Sequence, residues 1–360
     1  MTATSGRALG RASHEEIVSV WRRRSGLRVI VAVHSTLLGP SLGGTRYRVY
    51  HSEDDALADV LALSEAMTNK SAVAGLALGG GKAVIIGDPT VSKTEDLLSD
   101  YAEVLNGLGG RYITAEDVGT SQDDMDFLGG RTAHVAGRST RLGGSGDPSP
   151  LTALGVVCAM EAAAEHRWGK RDLAGRHVAI SGMGKVGSGV AALLGDRGCD
   201  LTISDVVDEA VANVAGSTKV TVVDPADIHK GPCDVFAPCA LGGVLDPSTV
   251  PELRCEVVTG GANNQLAGDE VAEMLLARDI LYVPDFVANA GGIINIANEV
   301  GGYDPEAARA QVEGIYDTTS ELFTRAAAAG GTLLAAAAAL AAERLAARAL
   351  GAQRPFLGGA

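Results

Sequence analysis

The feature that most constrains this chain is a set of three glycines placed between an apolar run and a helical one. In HVAISGMGKVGSGVAALLGDRGCDLTISD, Gly182, Gly184 and Gly187 form G-x-G-x-x-G. Asp205 closes the next apolar run, 23 residues after Gly182, against about 20 in dinucleotide-binding turns. Each position has a physical task. Gly182 permits a tight turn, Gly184 lets backbone approach a pyrophosphate, and Gly187 allows close helix–strand packing. The helix start supplies unpaired N–H donors and partial positive charge. The loop Gly182, Met183, Gly184, Lys185, Val186 and Gly187 is therefore expected to hold phosphates. Asp205, followed by Val206, is expected to accept from the adenosine ribose hydroxyls. An acid there repels a 2′-phosphate, so NAD is expected over NADP. The competing reading is a strand–helix turn of the same shape that binds nothing.

The rest of the chain repeats this alternation. LRVIVAVH, from Leu27 to His34, reads as a strand, Glu53 onward as a helix, KAVIIGDP as a short buried strand, Lys93 to Leu108 as a helix and RYITAEDVG as a strand. A Gly/Ser/Pro-rich loop, RLGGSGDPSP, then runs from Arg141 to Pro150 and has the composition of a hinge. Beyond it the reading is helix from Leu151, strand RHVAIS, helix from Lys185, strand DLTISD and helix from Val207. Strands at DVFAP, CEVVTG and ILYVPD follow. Strands alternating with helices predict an α/β fold with parallel sheet and helices on both faces.

Composition narrows the function. Lys+Arg is 30 and Asp+Glu 44, a net charge of −14 over 360 residues. That excess of acid disfavours nucleic acid and anionic membrane surfaces as partners. The five cysteines, Cys158, Cys199, Cys233, Cys239 and Cys255, are irregularly spaced and form no CxxC. Free thiols in a reducing cytoplasm are expected, with no disulfide framework and no metal site. The first residues lack an apolar stretch of signal length. The alanine-rich stretch near the C-terminus is broken by Gly330 and Gly331. It reads as a Thr332-capped helix ending at Gly351, not a membrane span. Glycine is in excess, 47 residues where about 7% is usual, so particular backbone positions must require it.

Three features before residue 150 carry chemistry. Gly79, Gly80 and Gly81 lead into Lys82, a stretch of bare backbone beside a lysine, without Walker spacing. Lys70 lies near the end of the preceding helix. Asp117 ends the strand RYITAEDVG, where open sheets place ligands. Taken singly, each has a plain alternative: a solvated lysine, or a helix-capping aspartate.

Taken together with LGPSLGGTR (38–46), MTNKSAVAGL (67–76), GGGKAVIIGDP (79–89), RYITAEDVGT (111–120), GDPSPLTALGV (146–156), APCALGG (237–243), GANNQLA (261–267) and PDFVANAGGIINIA (284–297), these residues resemble the glutamate/leucine/phenylalanine/valine dehydrogenase family, most of all its leucine/valine branch. The resemblance implies two domains with a cleft between them. Residues 1–148 would form the substrate and catalytic domain, joined by a C-terminal helix over 332–360. Residues 149–331 would form the Rossmann domain. It implies Lys82 and Asp117 as catalytic residues and Lys70 as partner of the substrate carboxylate, with Gly79 and Gly80 beside the substrate. Thr152 and Asn264 would lie near nicotinamide and substrate, and Cys239, Ala240, Leu241 and Asn289 would border the cofactor. The implied reaction is reversible NAD-dependent oxidative deamination of an L-amino acid to a 2-oxo acid and ammonia, in a homo-oligomer. A lysine is a poor base at its reference pKa near 10.4. Burial and a neighbouring cation such as Lys70 would lower it, so that a neutral Lys82 activates water while Asp117 moves the amine proton.

Side-chain specificity is expected from Leu42, Ala115, Ile293 and Ile296. Leu42 stands where glutamate-specific relatives carry a lysine, so a γ-carboxylate would lack its partner. Ile293 and Ile296 narrow the pocket toward valine, leucine and isoleucine. Phenylalanine or another aromatic amino acid is the alternative on the same scaffold, and a catalytically silent NAD-binding regulator the distant one. Asn69, Lys185 and Gly261 depart from the branch's usual residues.

Overall fold

The computed structural model describes residues 13–352, so the first residues of the expected N-terminal domain and the last of the expected 332–360 helix lie outside the described residues. The chain divides into two compact units. The first holds residues 13–147, 296–305 and 340–352, and the second 148–295 and 306–339.

In the first unit, strands β1 (Glu16–Arg22), β2 (Leu27–Ser35) and β3 (Ser41–Arg48) precede helix α1 (Glu53–Val73). Then follow β4 (Gly79–Ile86), α2 (Pro89–Ser92), α3 (Glu95–Gly107), β5 (Tyr112–Glu116) and α4 (Gln122–Gly129). The sheet order is β1-β2-β4-β3-β5. This sheet is mixed: β1 pairs with β2 and β2 with β4 antiparallel, while β3 pairs with β4 and β5 in parallel. The expectation of a parallel sheet throughout does not hold here. A four-residue turn, Arg23–Gly26, joins β1 to β2 as a hairpin, a connection that enforces antiparallel pairing. β3 was not expected as a strand, because SLGGTRYR carries two glycines and no apolar alternation. Its pairing on both sides supplies what propensity withholds.

Helix α1 begins where the Ser52 hydroxyl accepts from Asp55 N, with Glu53, Asp54 and Asp55 in the first turn and Lys70 in the last. Both charge placements suit the helix dipole. Its Ala56 and Val60 cover one sheet face at Ile30, Ala32 and Val84. The opposite face, with Val29, Val31, Ala83, Ile85 and Tyr112, packs on Leu97, Tyr101 and Leu105 of α3.

The second unit opens with α5 (Ser149–Trp168), two residues before the expected Leu151, because Pro150 fits the first turn of a helix. It continues with β6 (His177–Ser181), α6 (Lys185–Asp196), β7 (Asp200–Ser204), α7 (Asp208–Ala215), β8 (Val220–Val222), β9 (Val235–Pro238), β10 (Val257–Val258), α8 (Glu270–Ala277) and β11 (Leu281–Tyr282). Helices α9 (Asp285–Ala288), α10 (Gly291–Ala297), α11 (Pro305–Glu313), α12 (Ile315–Ala329) and α13 (Leu333–Ala352) complete the chain. The sheet order is β11-β10-β9-β6-β7-β8, every pair parallel. This is the doubly wound arrangement, whose strand order reverses beside β6, where such sheets bind ligands.

Thr332 caps α13, its hydroxyl accepting from Ala335 N at 3.2 Å. Farther along, Arg344 donates to Ala72 O and Val73 O, the last carbonyls of α1. Among the described residues, no single helix is long and apolar enough to cross a membrane.

Candidate active site

The parallel registers of the first unit decide which side chains share a face. Leu42 pairs with Gly80 and with Ile113, and Gly44 pairs with Ala115. Side chains two apart on a strand point the same way. Leu42 and Arg46 of β3, Gly80 and Lys82 of β4, and Ala115 of β5 with Asp117 just beyond it therefore occupy one face. That is the face covered by α1, which carries Lys70 in its last turn.

Lys82 is buried, 6% exposed. Its Nζ stands 2.5 Å from Asp117 Oδ2. Arg46 Nε lies 3.2 Å from the same oxygen, and its Nη1 is held by Asp59 at 3.0 Å. Burial pushes the Asp117 carboxyl up, but Lys82 and Arg46 more than offset it, and the net shift is below the usual carboxylate range. Thr120 fixes the backbone here by accepting from Asp117 N at 2.9 Å. Asp117 is thus an ionised acceptor between two cations, not a helix cap. Arg46 was not among the expected site residues, although it closes the quoted stretch LGGTR. A register argument, three strands side by side, is needed to see it.

The glycines here have packing reasons. A Cβ on Gly79 would come within 1.8 Å of Ser35 O, and one on Gly80 within 2.1 Å of Thr68 N in α1. On Gly81 it would meet Ser41 and Tyr112. The bareness of Gly79–Gly81 is used by neighbouring strands and by α1. Gly44 is the glycine that shapes the site. An added Cβ would sit 2.5 Å from Glu116 O and 2.9 Å from Asp117 Cβ.

Leu42 is 1% exposed and Ala115 3%, so both expected pocket walls are apolar and buried. On α10, Ile293 is buried and Ile296, one turn on, half-buried. Asn69 is exposed. Glu299, another residue the sequence did not single out, accepts from Gly137 N, Ser145 N and Ser145 Oγ at 2.8–2.9 Å. It ties down the Gly-rich loop ahead of residue 147.

The glycine turn of the second unit lies at the C-terminal end of β6. Gly182 has φ +101°, and a Cβ there would meet Ala240 N at 2.6 Å. Only glycine suits both conditions. A Cβ on Gly187 would lie 1.8 Å from Gly182 O, which is the close helix–strand approach expected. A Cβ on Gly184 would meet no protein atom within 4 Å. Gly184 is also the N-cap of α6 and offers no side-chain cap, and it is exposed together with Lys185. Asp205 follows β7. Its Oδ2 accepts from Met183 N at 2.5 Å and its Oδ1 from Val207 N at 2.9 Å. A carboxylate has about four acceptor positions, so two remain for a ribose diol. These residues fit a dinucleotide.

Of the other expected cofactor residues, Ala240 and Cys239 lie against the glycine turn, at Gly182 and Gly187. Cys239 Sγ accepts from Gly261 N at 3.4 Å. A Cβ on Gly261 would lie 2.5 Å from Val186 Cγ1, so glycine here matches the Val186 side chain. Asn264 is exposed with φ +52°, a left-handed conformation that asparagine tolerates better than most residues. Its carbonyl accepts from Gly243 N at 2.7 Å. Asn289 is buried and donates to Asn263 Oδ1 at 2.9 Å. Leu241 and Val206 are exposed. Thr152 Oγ1 donates to Pro148 O at 2.9 Å. Gly291 and Gly292 let α10 approach α5: a Cβ on either would collide with Leu151 O or Thr152 Oγ1.

Residues 14–134 match the family described as Glu/Leu/Phe/Val dehydrogenase, dimerisation domain. Residues 143–208 and 201–352 match Glutamate/Leucine/Phenylalanine/Valine dehydrogenase. A valine dehydrogenase of Streptomyces virginiae is 48% identical over 316 residues, 87% of this chain and 88% of that protein. A leucine dehydrogenase of Geobacillus stearothermophilus is 43% identical over 344 residues, 96% of this chain and 94% of that one. Among solved structures, an L-tryptophan dehydrogenase from Nostoc punctiforme superimposes with a TM-score of 0.86 at 39% identity, covering 96% of this chain and 99% of that one. The chain belongs to the glutamate/leucine/phenylalanine/valine dehydrogenase family of amino-acid dehydrogenases.

Proposed function

We propose that this protein catalyses the reversible NAD-dependent oxidative deamination of a branched-chain aliphatic L-amino acid to its 2-oxo acid and ammonia. The observation that carries the reading is the Lys82–Asp117 pair, 2.5 Å apart, on the same sheet face as the buried apolar side chains of Leu42 and Ala115. Bound NAD would accept the hydride from the substrate Cα. The chain's residues do the rest. Lys70 meets the substrate carboxylate. Asp117, kept ionised by its two cations, accepts a proton from the substrate ammonium, leaving the neutral amine whose Cα–H is oxidised. Once Lys82 has given up its proton, its amine takes the proton of the water that adds to the iminium carbon. The short Nζ–Oδ2 contact lets a proton pass between the two groups, so one pair serves both proton transfers. General acid–base help of this kind is typically worth about 10²–10⁴-fold.

Leu42 and Ala115 offer no partner for a charged side chain, and an unpaired buried carboxylate is strongly disfavoured. Aliphatic substrates fit this environment. A second reading, turnover of an aromatic amino acid, is favoured by the likeness to the tryptophan dehydrogenase. NAD is preferred over NADP on the strength of Asp205, whose charge opposes a 2′-phosphate. Self-association accords with the dimerisation-domain description matched by residues 14–134. A cytoplasmic location accords with five cysteines without disulfide spacing. The test is a panel of L-amino acids followed as NADH absorbance at alkaline pH. Preference for valine, leucine or isoleucine is expected. Preference for phenylalanine or tryptophan selects the second reading, and no turnover with any amino acid overturns both.

A further inference from the structure

Two cysteines outside the expected chemistry stand side by side in the second unit. Strands β9 and β10 are parallel, with Val235 opposite Val257 and Phe236 opposite Val258. Two residues earlier the same register sets Cys233 opposite Cys255. The pairing is still in force there: Pro232 bridges Arg254, and Cys233 N donates to Arg254 O at 3.2 Å. Opposed residues on adjacent parallel strands project to the same face, and neighbouring strands lie about 4.8 Å apart. That spacing falls inside the roughly 4.4–6.8 Å Cα separation that a disulfide needs. The two thiols are free and in contact with each other. Cys255 is buried among Phe236, Val258 and Ile280, while Cys233 is part-exposed, which gives the pair a route to a small oxidant.

The two thiols are also unequal. The Cys233 thiol beside it holds Cys255 below the ordinary thiol range against the effect of burial, and Arg278 helps. Contact with Cys255 and burial both push Cys233 up. Such asymmetry provides one nucleophile and one resolving thiol.

We propose that Cys233 and Cys255 are a peroxide-sensitive pair that closes to a reversible intramolecular disulfide. The Cys255 thiolate attacks one oxygen of hydrogen peroxide. The O–O bond breaks, hydroxide leaves, and Cys255 becomes a sulfenic acid. The Cys233 sulfur then attacks the Cys255 sulfur. The S–O bond breaks, and its oxygen leaves as water carrying the Cys233 proton. The hydroxide from the first step takes up the proton lost when Cys255 ionised. Two thiols lose two electrons and two protons, and one peroxide becomes two waters. A dithiol reductant reverses the bond by exchange.

The test uses the full chain, reduced, freed of reductant, treated with hydrogen peroxide, alkylated and digested with trypsin without reduction. Cleavage after Arg254 separates the two cysteines. A linked pair of peptides, 231–254 with 255–278, is expected to appear and to vanish on treatment with dithiothreitol. Because Cys239 lies in the first peptide, three variants locate the bond. The link should survive in Cys239→Ser and be lost in Cys233→Ser and in Cys255→Ser. Absence of the linked pair in the unmutated protein would overturn the proposal. So would its persistence in Cys233→Ser, or over-oxidation of Cys255 to the sulfinic acid while Cys233 stays alkylatable.

Discussion

Lys82 Nζ, on β4, stands 2.5 Å from Asp117 Oδ2, just past the end of β5, with Gly44 of β3 between the two strands. A lysine and a carboxylate this close share their charges, so removing either changes the other. Lys82→Ala should lower kcat by about 10²–10⁴-fold, the usual worth of a positioned acid–base group. The dinucleotide turn lies in a different unit and should be untouched. NAD binding followed by protein fluorescence checks this half of the expectation. A variant that keeps substantial turnover removes Lys82 from the mechanism.

Arg46 gives a pH prediction. It is one of two cations that hold Asp117 below the usual carboxylate range. Arg46→Met removes one of them, so the Asp117 carboxyl must titrate at a higher pH. In the proposed mechanism Asp117 works as the carboxylate, and its ionised fraction is lost as pH falls through its pKa. The acid limb of kcat/KM should therefore move to higher pH in the variant, while Arg46→Lys restores part of the original position. A loss of activity equal at every pH would make Arg46 merely structural.

The two units differ in how much their sequences disclose. In the second, the glycine turn, the following strand and Asp205 are consecutive, so local spacing alone locates them. Nothing local announces β3, because SLGGTRYR is held as a strand by β4 and β5 on either side. Once β3 is in place, Arg46 and Gly44 acquire partners 71 and 73 residues away in sequence, at Asp117. The triplet Gly79–Gly81 is opaque in the same way: its bareness suits Ser35, Thr68 and Ser41, contacts that no motif encodes. Local features singled out Lys70, Lys82 and Asp117 and the family resemblance implied their roles, whereas the strand register was needed to explain why Lys82 and Asp117 meet a third charge.

The proposed preference for NAD rests on Asp205. Both of its oxygens already accept from backbone, at Met183 and Val207, so the carboxylate is fixed in place before a ribose arrives. Asp205→Ala removes both the ribose acceptor and the charge that opposes a 2′-phosphate. The ratio of kcat/KM for NAD over NADP should fall by at least 10-fold, which corresponds to about 1.4 kcal/mol. Steady-state assays with each nucleotide decide it, and an unchanged ratio would contradict the role assigned to Asp205.

Helix α13 stabilises α1 through one side chain. Arg344 donates to the carbonyls of Ala72 and Val73, at the end of α1 where the helical ladder of hydrogen bonds runs out. A charged donor at a helix C-terminus also suits the dipole. Arg344→Ala should lower stability by about 1.5–3 kcal/mol, the usual range for hydrogen bonds involving a charged group. Thermal melting followed by circular dichroism would show it, and Arg344→Lys should recover part of the loss.

Gly44 provides the sharpest test of the site's geometry, because its change adds one methyl and no charge. A Cβ at this position would lie 2.5 Å from Glu116 O and 2.9 Å from Asp117 Cβ. Neither atom is the end of a flexible side chain, so in Gly44→Ala the segment carrying Asp117 must move by several tenths of an ångström or more. Lys82, on the other strand, stays where it is. The Nζ–Oδ2 contact therefore lengthens while both groups remain present. Misplacement of a catalytic group by about 1 Å costs on the order of 10²-fold in rate. A fall of that order in kcat, with NAD binding unchanged and the fold retained, is the expected result. If Gly44→Ala turns over as fast as the unmodified enzyme, the close approach of Asp117 to Lys82 is not what sets the rate.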